Sequence, residues 1–411
     1  MTLRNRGIAI EEGKSDDSII WSLDLNHPEW GEATLCCLRD FPMPPEILID
    51  WDSDLTESEK TEVRACGTAV SVVVNSSRKH LLRDRKNALF FVDAVMGEEG
   101  VAAMDHCSEK FWSRRALKAE VVHNADVDVN SLFTAHLVTF DDEKQARWLH
   151  THGLAKIGLF DFDILNPSDS ALHPGVDAAR AIAFAILEGT LKVGGSAHIF
   201  SKAGPMLAMS AKDFTARADK RWVELRDDST GDHVVDRAIL CEPPPSGFFG
   251  RFRSAAAPSK FLMGAFPDDC LIQYSTEASQ VMAERARATY PFFRQAFEEV
   301  RPIKAMALVK IGYRVDGGGE RDLEHLWFQV HEGRDAEVDA TLLNQPFHIG
   351  RMKEGDRGLH SIGGISDWQI MTPLGSITPR QTKALRAFHD LVADGKLEQL
   401  VQIASQLAEE G

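Results

Sequence analysis

The stretch from Met306 to Met371 constrains the fold more than any other, because its apolar residues recur with a period of two between closely spaced turn signals. Gly317, Gly318 and Gly319 separate MALVKIGYRV from EHLWFQV, Glu332 to Asp335 separate that run from VDATLL, and Gly363-Gly364 lie between GLHSI and ISDWQIM. Breaks of this length suit hairpins. Along EHLWFQV, Leu326, Phe328 and Val330 alternate with His325, Trp327 and Gln329, so each set takes its own face of a strand. Trp368 and Ile370 share a face of the last run, and that face is expected to be core. The expectation is an antiparallel, small and barrel-like β-meander.

Helical periodicity flanks this meander. Met282, Ala286, Tyr290, Phe293 and Phe297 recur every three or four residues, giving one apolar face, and Pro291 predicts a kink or two shorter helices. After the meander, Thr378, Pro379 and Gln381 mark the start of a helix to about Asp394. Leu397, Leu400, Val401, Ala404 and Leu407 predict a last amphipathic helix.

Ahead of it the pattern is mixed. Residues up to Asp17 are polar and expected to be loose, while IIWSLDL and ATLCCL read as strands. Thr56 and Glu59 form a capping box, with Gly67 expected to end that helix; TAVSVVVN reads as a strand, and Ser77 as the cap of a helix running to Gly97. Strand, strand, helix, strand, helix describes an α+β sandwich with helices on one face of a sheet. From Leu117, AEVVH, LFTAHLVTF, RWLHTHGL and LFDFDIL are strand candidates, followed by a buried helix opened by Pro174 and closed by Gly189. From GGSAHIF to VVDRAIL the pattern does not decide between a continuation of this sheet and a separate layer.

CEPPPSGFFGRFRSAAAPSK reads as a linker in which Phe248, Phe249 and Phe252 stand out. The expected division is an α+β domain over 1–116, a second α+β region over 117–241, separate from the first or continuous with it, a linker over 242–260, and a helix and meander domain with a helical tail over 261–411.

A net charge of −16 over 411 residues opposes binding to nucleic acid, whose affinity rests on cations neutralising phosphates. Arg78, Lys79, Arg83, Arg85 and Lys86 read as a solvated helix face. The start MTLRNRGIAIEEGKSDD lacks the apolar core of a secretion signal, and the AIAFAIL run is too short to span a bilayer. Six cysteines without CxxC spacing fit reduced thiols. These features place the chain in the cytoplasm, away from membranes, with no cofactor and a protein or small-ligand partner; they leave the oligomeric state open.

Three groups of residues carry candidate chemistry. His150 and His152, with Asp161 and Asp163, form two i, i+2 pairs that adjoining strands could bring around a metal. Phe160, Phe162 and Ile164 alternate with the aspartates as in any half-buried strand, so a solvated or locally hydrogen-bonded polar face is the expectation and the metal site the alternative. Asp105-His106-Cys107 has the residue types of a thiol nucleophile and its base, though sequence neighbours seldom meet in the needed geometry. In the meander, Glu324, His325, Trp327, Asp356 and Asp367 could line a recognition surface, or else hold turns and pack under the preceding helix. No P-loop, GxSxG elbow or HExxH occurs.

Met282, Ala286-Arg287, Thr289, Glu324-His325-Leu326-Trp327, Asn344 with Pro346, Gly355-Asp356 and Ile365-Ser366-Asp367-Trp368 together resemble a bacterial family, domain of unknown function 2314, over about Thr276 to Met371. More loosely, WLHTHGL at 148 to 154 resembles a stretch of domain of unknown function 4026. The resemblance implies a bacterial origin and carries no catalytic residue. The resulting expectation is a non-enzymatic binding or adaptor protein, the alternative being a metal-dependent hydrolase with its site in the middle region.

Overall fold

The computed structural model describes residues 3–13, 19–39, 43–52, 55–76, 79–140, 146–169, 175–226, 236–244, 255–267, 272, 274–301, 305–319, 322–372, 375–380, 394–396 and 399. It is an α+β protein built on three main sheets.

The first sheet holds β1 (Ala9–Glu12), β2 (Ile19–His27) and β3 (Gly31–Leu38), then, after helices α1 (Glu46–Trp51) and α2 (Glu57–Ala65), β4 (Val70–Val74). The order is β1-β2-β3-β4, antiparallel throughout. The polar amino terminus is more ordered than its composition suggests: Leu3–Arg6 form a 3-10 turn, and β1 gains a full ladder on β2. Thr56 and Glu59 make the expected capping box, but α2 ends on an extended Cys66 whose amide reaches Val63 O, so Gly67 is not its cap. Helix α3 (Leu81–Met96) lays Phe91 and Ala94 on Leu25, Ala33 and Leu35 and ends at Gly97, φ +53°. Ser77 lies outside the described residues, and the residue preceding α3 is His80, which makes no side-chain cap.

Two expectations fail here for one reason, burial of charge. AEVVH belongs to a helix, α4 (Arg114–Val121), which follows the hairpin β5 (Ala102–Asp105) and β6 (Lys110–Ser113) and is capped by the Ser113 hydroxyl on the Ala116 amide. Glu120 lies in its buried face with Leu117, so the two valines that suggested a strand sit in and just beyond its last turn. The basic residues of α3 are not a solvated face either. Lys86 is fully buried, bonded to Glu120 at 3.2 Å, while Arg83 pairs with Asp126 and Arg85 with Asp105.

The second sheet comprises β7 (Thr134–Thr139), β8 (Arg147–His152), β9 (Asp161–Leu165), then α5 (Gly175–Leu187), β10 (Ser196–Ala197), β11 (Met206–Ser210), α6 (Ala211–Arg217), α7 (Lys220–Glu224) and β12 (Arg237–Cys241). Its order is β10-β11-β12-β9-β8-β7, with β12 parallel to β9 and every other pair antiparallel. The stretch whose pattern was undecided therefore continues this sheet. From Ala178 to Ile186 helix α5 is buried all round, in a large core with Leu149, Phe162 and Leu240; the opposite face carries a smaller core of Trp148, Leu165, Met209, Phe214 and Ile239. Helix α8 (Lys260–Met263) buries Leu262 in the larger core, and Ser259 N donates to Leu240 O at 3.0 Å. Phe248, Phe249 and Phe252 fall outside the described residues.

Helices α9 (Thr276–Ala288) and α10 (Tyr290–Val300) meet at Thr289, with Pro291 in the first turn of α10, where its missing amide costs nothing. Strands β13 (Met306–Arg314), β14 (Leu323–Gly333), β15 (Glu337–Leu342), β16 (Arg357–Ser361), β17 (Ile365–Thr372) and β18 (Gly375–Ile377) form the third sheet, ordered β16-β15-β14-β13-β17-β18. The first four are a meander, and the chain then crosses to pair β17 with β13. The sheet stays open. Its inner face buries Val309, Ile311, Leu326, Phe328 and Trp368 against Tyr290, Phe293 and Phe297, and the Trp368 ring nitrogen donates to Ala286 O and Thr289 Oγ1, both at 3.1 Å. The helices expected beyond Gln381 fall almost wholly outside the described residues.

Among the described residues no helix is long and apolar enough to cross a membrane, and Cys36, Cys37, Cys66, Cys107 and Cys241 are free thiols.

Candidate metal centre and the surface of the third sheet

Strand β8 puts His150 and His152 on one face, as the period of two requires. The third residue comes from the edge strand β7, where His136 stands directly opposite His150 and diagonal to His152. One ring nitrogen of each can be chosen so that all three lie within 4.8 Å of one another. Ring centroids are 5.4 Å apart for His136 and His150, and 4.9 Å for each of the other two pairs. His150 is buried beside Trp148, whose ring lies 4.2 Å away, while His136 and His152 are half-buried. Trp51, largely exposed at the end of α1, approaches His136 edge-on at 6.5 Å.

The two aspartates expected alongside have other partners. Asp163 is paired with His150 in the strand register, yet its carboxylate takes Arg226 Nε at 2.8 Å and Arg237 Nη1 at 2.6 Å, all three side chains being buried. Asp161 accepts from the Thr151 hydroxyl at 2.9 Å and from the amides of Gly153, Leu154 and Ala155 at 3.2 Å, so it organises the tight turn after β8. Burial raises its pKa, against those bonds. The sequence thus exposed two ligand candidates, while the third needed the register of the β7–β8 hairpin. HLVTF on one side of that turn and RWLHTH on the other would have indicated it.

A tetrahedral ion with bonds of about 2.0–2.1 Å needs its nitrogens about 3.3 Å apart. The three rings must therefore turn toward one another to close on an ion. Three neutral imidazoles suit zinc and its neighbours in the first transition row and leave a fourth position open.

In Asp105-His106-Cys107, read as a thiol nucleophile with its base, Asp105 accepts the Cys107 amide at 2.9 Å and pairs with Arg85, and burial, then Asp105, pushes the thiol's pKa up, away from a thiolate.

The five meander residues are split between roles. Glu324 accepts the amides of Phe347 and His348 at 2.7 and 2.8 Å and pins that loop; Asp356 accepts the Lys353 amide at 2.9 Å and holds a turn. Asp367 takes Arg380 at 3.1 Å. His325, Trp327 and Asp367 share the outer face, Trp327 and Asp367 standing on either side of Lys310, whose ammonium lies 5.5 Å from the Trp327 ring centre. On that face His325 Nδ1 is 2.7 Å from Ser366 Oγ, a residue that entered the sequence reading within the motif at 365–368 and not as a site candidate.

Residues 277–378 match a family model described as an uncharacterized protein conserved in bacteria, domain of unknown function 2314. Residues 135–215 match the carboxy-terminal model of a protein of unknown function, domain of unknown function 4026. No curated protein matches the chain significantly, and no solved structure does. The second matched segment contains all three histidines; the first contains His325 and Ser366.

Proposed function

We propose that this chain is a metal-binding protein whose second sheet holds a zinc-class ion through His136, His150 and His152. The observation that carries it is the convergence of three imidazoles from two paired strands, with ring nitrogens within 4.8 Å. Imidazoles already gathered by paired strands lose less entropy on closing around an ion than scattered ones would, and they sit where β7 forms the sheet edge, so an ion has a way in. This keeps the first expectation, a binding protein, and replaces the two-histidine, two-aspartate alternative with an all-histidine set. The absence of a cofactor expected from spacing gives way to the same proposal. An ion held there with water in its fourth position would have the hydroxide needed for hydrolysis.

The test is elemental analysis of untagged protein after dialysis, with titration by zinc. Near-stoichiometric retention, lost in His136→Ala and in His150→Ala, supports the reading. Protein that keeps no metal and shows no saturable zinc binding overturns it.

A further inference from the structure

We propose that Ser366 is a nucleophilic serine and His325 its base, acting on small carboxylic esters at the exposed face of the third sheet. These two side chains belong to strands that are not neighbours: β13 lies between β14 and β17. Two local features bring them together. Residue 312, opposite His325 on β13, is glycine, and a Cβ built there would lie 3.1 Å from His325 Cε1. The ring crosses the middle strand through the space that a side chain would occupy. On β17, Lys310 pairs with Asp367 and Ile311 with Ile365, so Ser366 is the extra residue of a β-bulge. Bulges re-aim one side chain, and here that side chain meets the histidine at 2.7 Å. The competing contact of the hydroxyl, to Lys310 O, is longer at 3.3 Å.

Chemistry follows from the arrangement. Burial, then Lys310, holds the His325 pKa below its ordinary value, so the imidazole is neutral at pH 7 and able to accept a proton. Ser366 Oγ adds to the ester carbonyl carbon as its proton passes to His325 Nδ1. The bond to the leaving oxygen breaks as the imidazolium returns that proton to it. Water, deprotonated by the same nitrogen, then adds to the acyl carbon, and the bond to Ser366 Oγ breaks as the imidazolium returns that proton to Oγ, releasing the acid. Lys310 is directly opposite Trp327 and, on its other side, Asp367, whose carboxylate pairs with Arg380; on the face of His325 its ammonium supplies a positive charge for the oxyanion, while Trp327 offers an apolar wall to the acyl group.

The experiment treats the full chain, with chelator present so that the second sheet's histidines hold no metal, with a fluorophosphonate probe, maps the adduct by mass spectrometry, and follows p-nitrophenyl acetate hydrolysis in parallel. A single adduct on Ser366 is expected, absent in Ser366→Ala and formed at least about 100-fold more slowly in His325→Gln. His325→Asn serves as a second variant should the first fail to fold. Wild-type protein without an adduct on Ser366, or histidine variants labelled at the wild-type rate, would overturn the proposal.

Discussion

Arg285 on α9 holds both carboxylate oxygens of Glu120 on α4, at 2.9 and 2.8 Å, with the two side chains at 3% and 1% exposure. The same guanidinium donates to Pro379 O at 2.9 Å, and Lys86 shares the carboxylate. One buried anion thus joins α3, α4, α9 and the end of the third sheet. Glu120→Gln would strand two buried cations. It should lower stability by about 3–5 kcal/mol, the usual cost of breaking rather than replacing a buried pair. A loss below about 1 kcal/mol in urea melts would show that water reaches the network.

The same cluster sets an acid limit. Burial, then Lys86, holds His123 down at about 4 against an ordinary 6.5, so between those values the unfolded chain binds a proton that the folded one refuses, and stability falls as pH drops from 6.5 to 4. Burial would raise Glu120, but Arg285 and then Lys86 outweigh it and hold the carboxyl at about 2. Its contribution, full above 4.5, is lost as pH falls toward 2. On the alkaline side, burial, opposed by Glu120, brings Lys86 down to about 8 from 10.5, so this group adds stability as pH rises between the two. His123→Phe should flatten the melting-temperature profile between pH 6.5 and 4 and leave the rest unchanged. A profile still sloping there would assign the loss to other groups.

Trp368 fills the space between the third sheet and the α9–α10 junction, fully buried, with Phe293 at 5.3 Å. Trp368→Ala should cost about 3–5 kcal/mol. Trp368→Phe should cost less in volume but still leave the Thr289 hydroxyl and Ala286 carbonyl without their ring donor. Equal melting of the two variants would mean that the hydrogen bonds, not the volume, dominate.

Where the sequence was legible, one periodicity governed one element. EHLWFQV and ISDWQIM announced their faces, and Pro291 announced the break between α9 and α10. What stayed hidden depends on register. His136 becomes a partner of His150 only through the β7–β8 pairing, Ser366 meets His325 only across a glycine and through a bulge, and Arg285 finds Glu120 across 165 positions. AEVVH misled because two valines suggested a strand while the buried charge of Glu120 lay in a helix face.

The final prediction separates the two ligand sets for the metal. If His136, His150 and His152 bind the ion, zinc at 100 times its dissociation constant should stabilise the wild type by about 2.7 kcal/mol, since a ligand that binds only the folded state stabilises it by mass action. Chelator should remove that gain, and His136→Ala should abolish it. Asp163→Asn leaves Arg226 and Arg237 buried beside a neutral amide, so it should destabilise the fold. Its zinc-dependent gain, however, should persist, because the carboxylate is engaged by arginine. Asp161→Asn should behave alike, as its carboxylate serves the turn after β8. A zinc shift insensitive to His136→Ala but erased by either asparagine variant would return the ligands to the two-histidine, two-aspartate set.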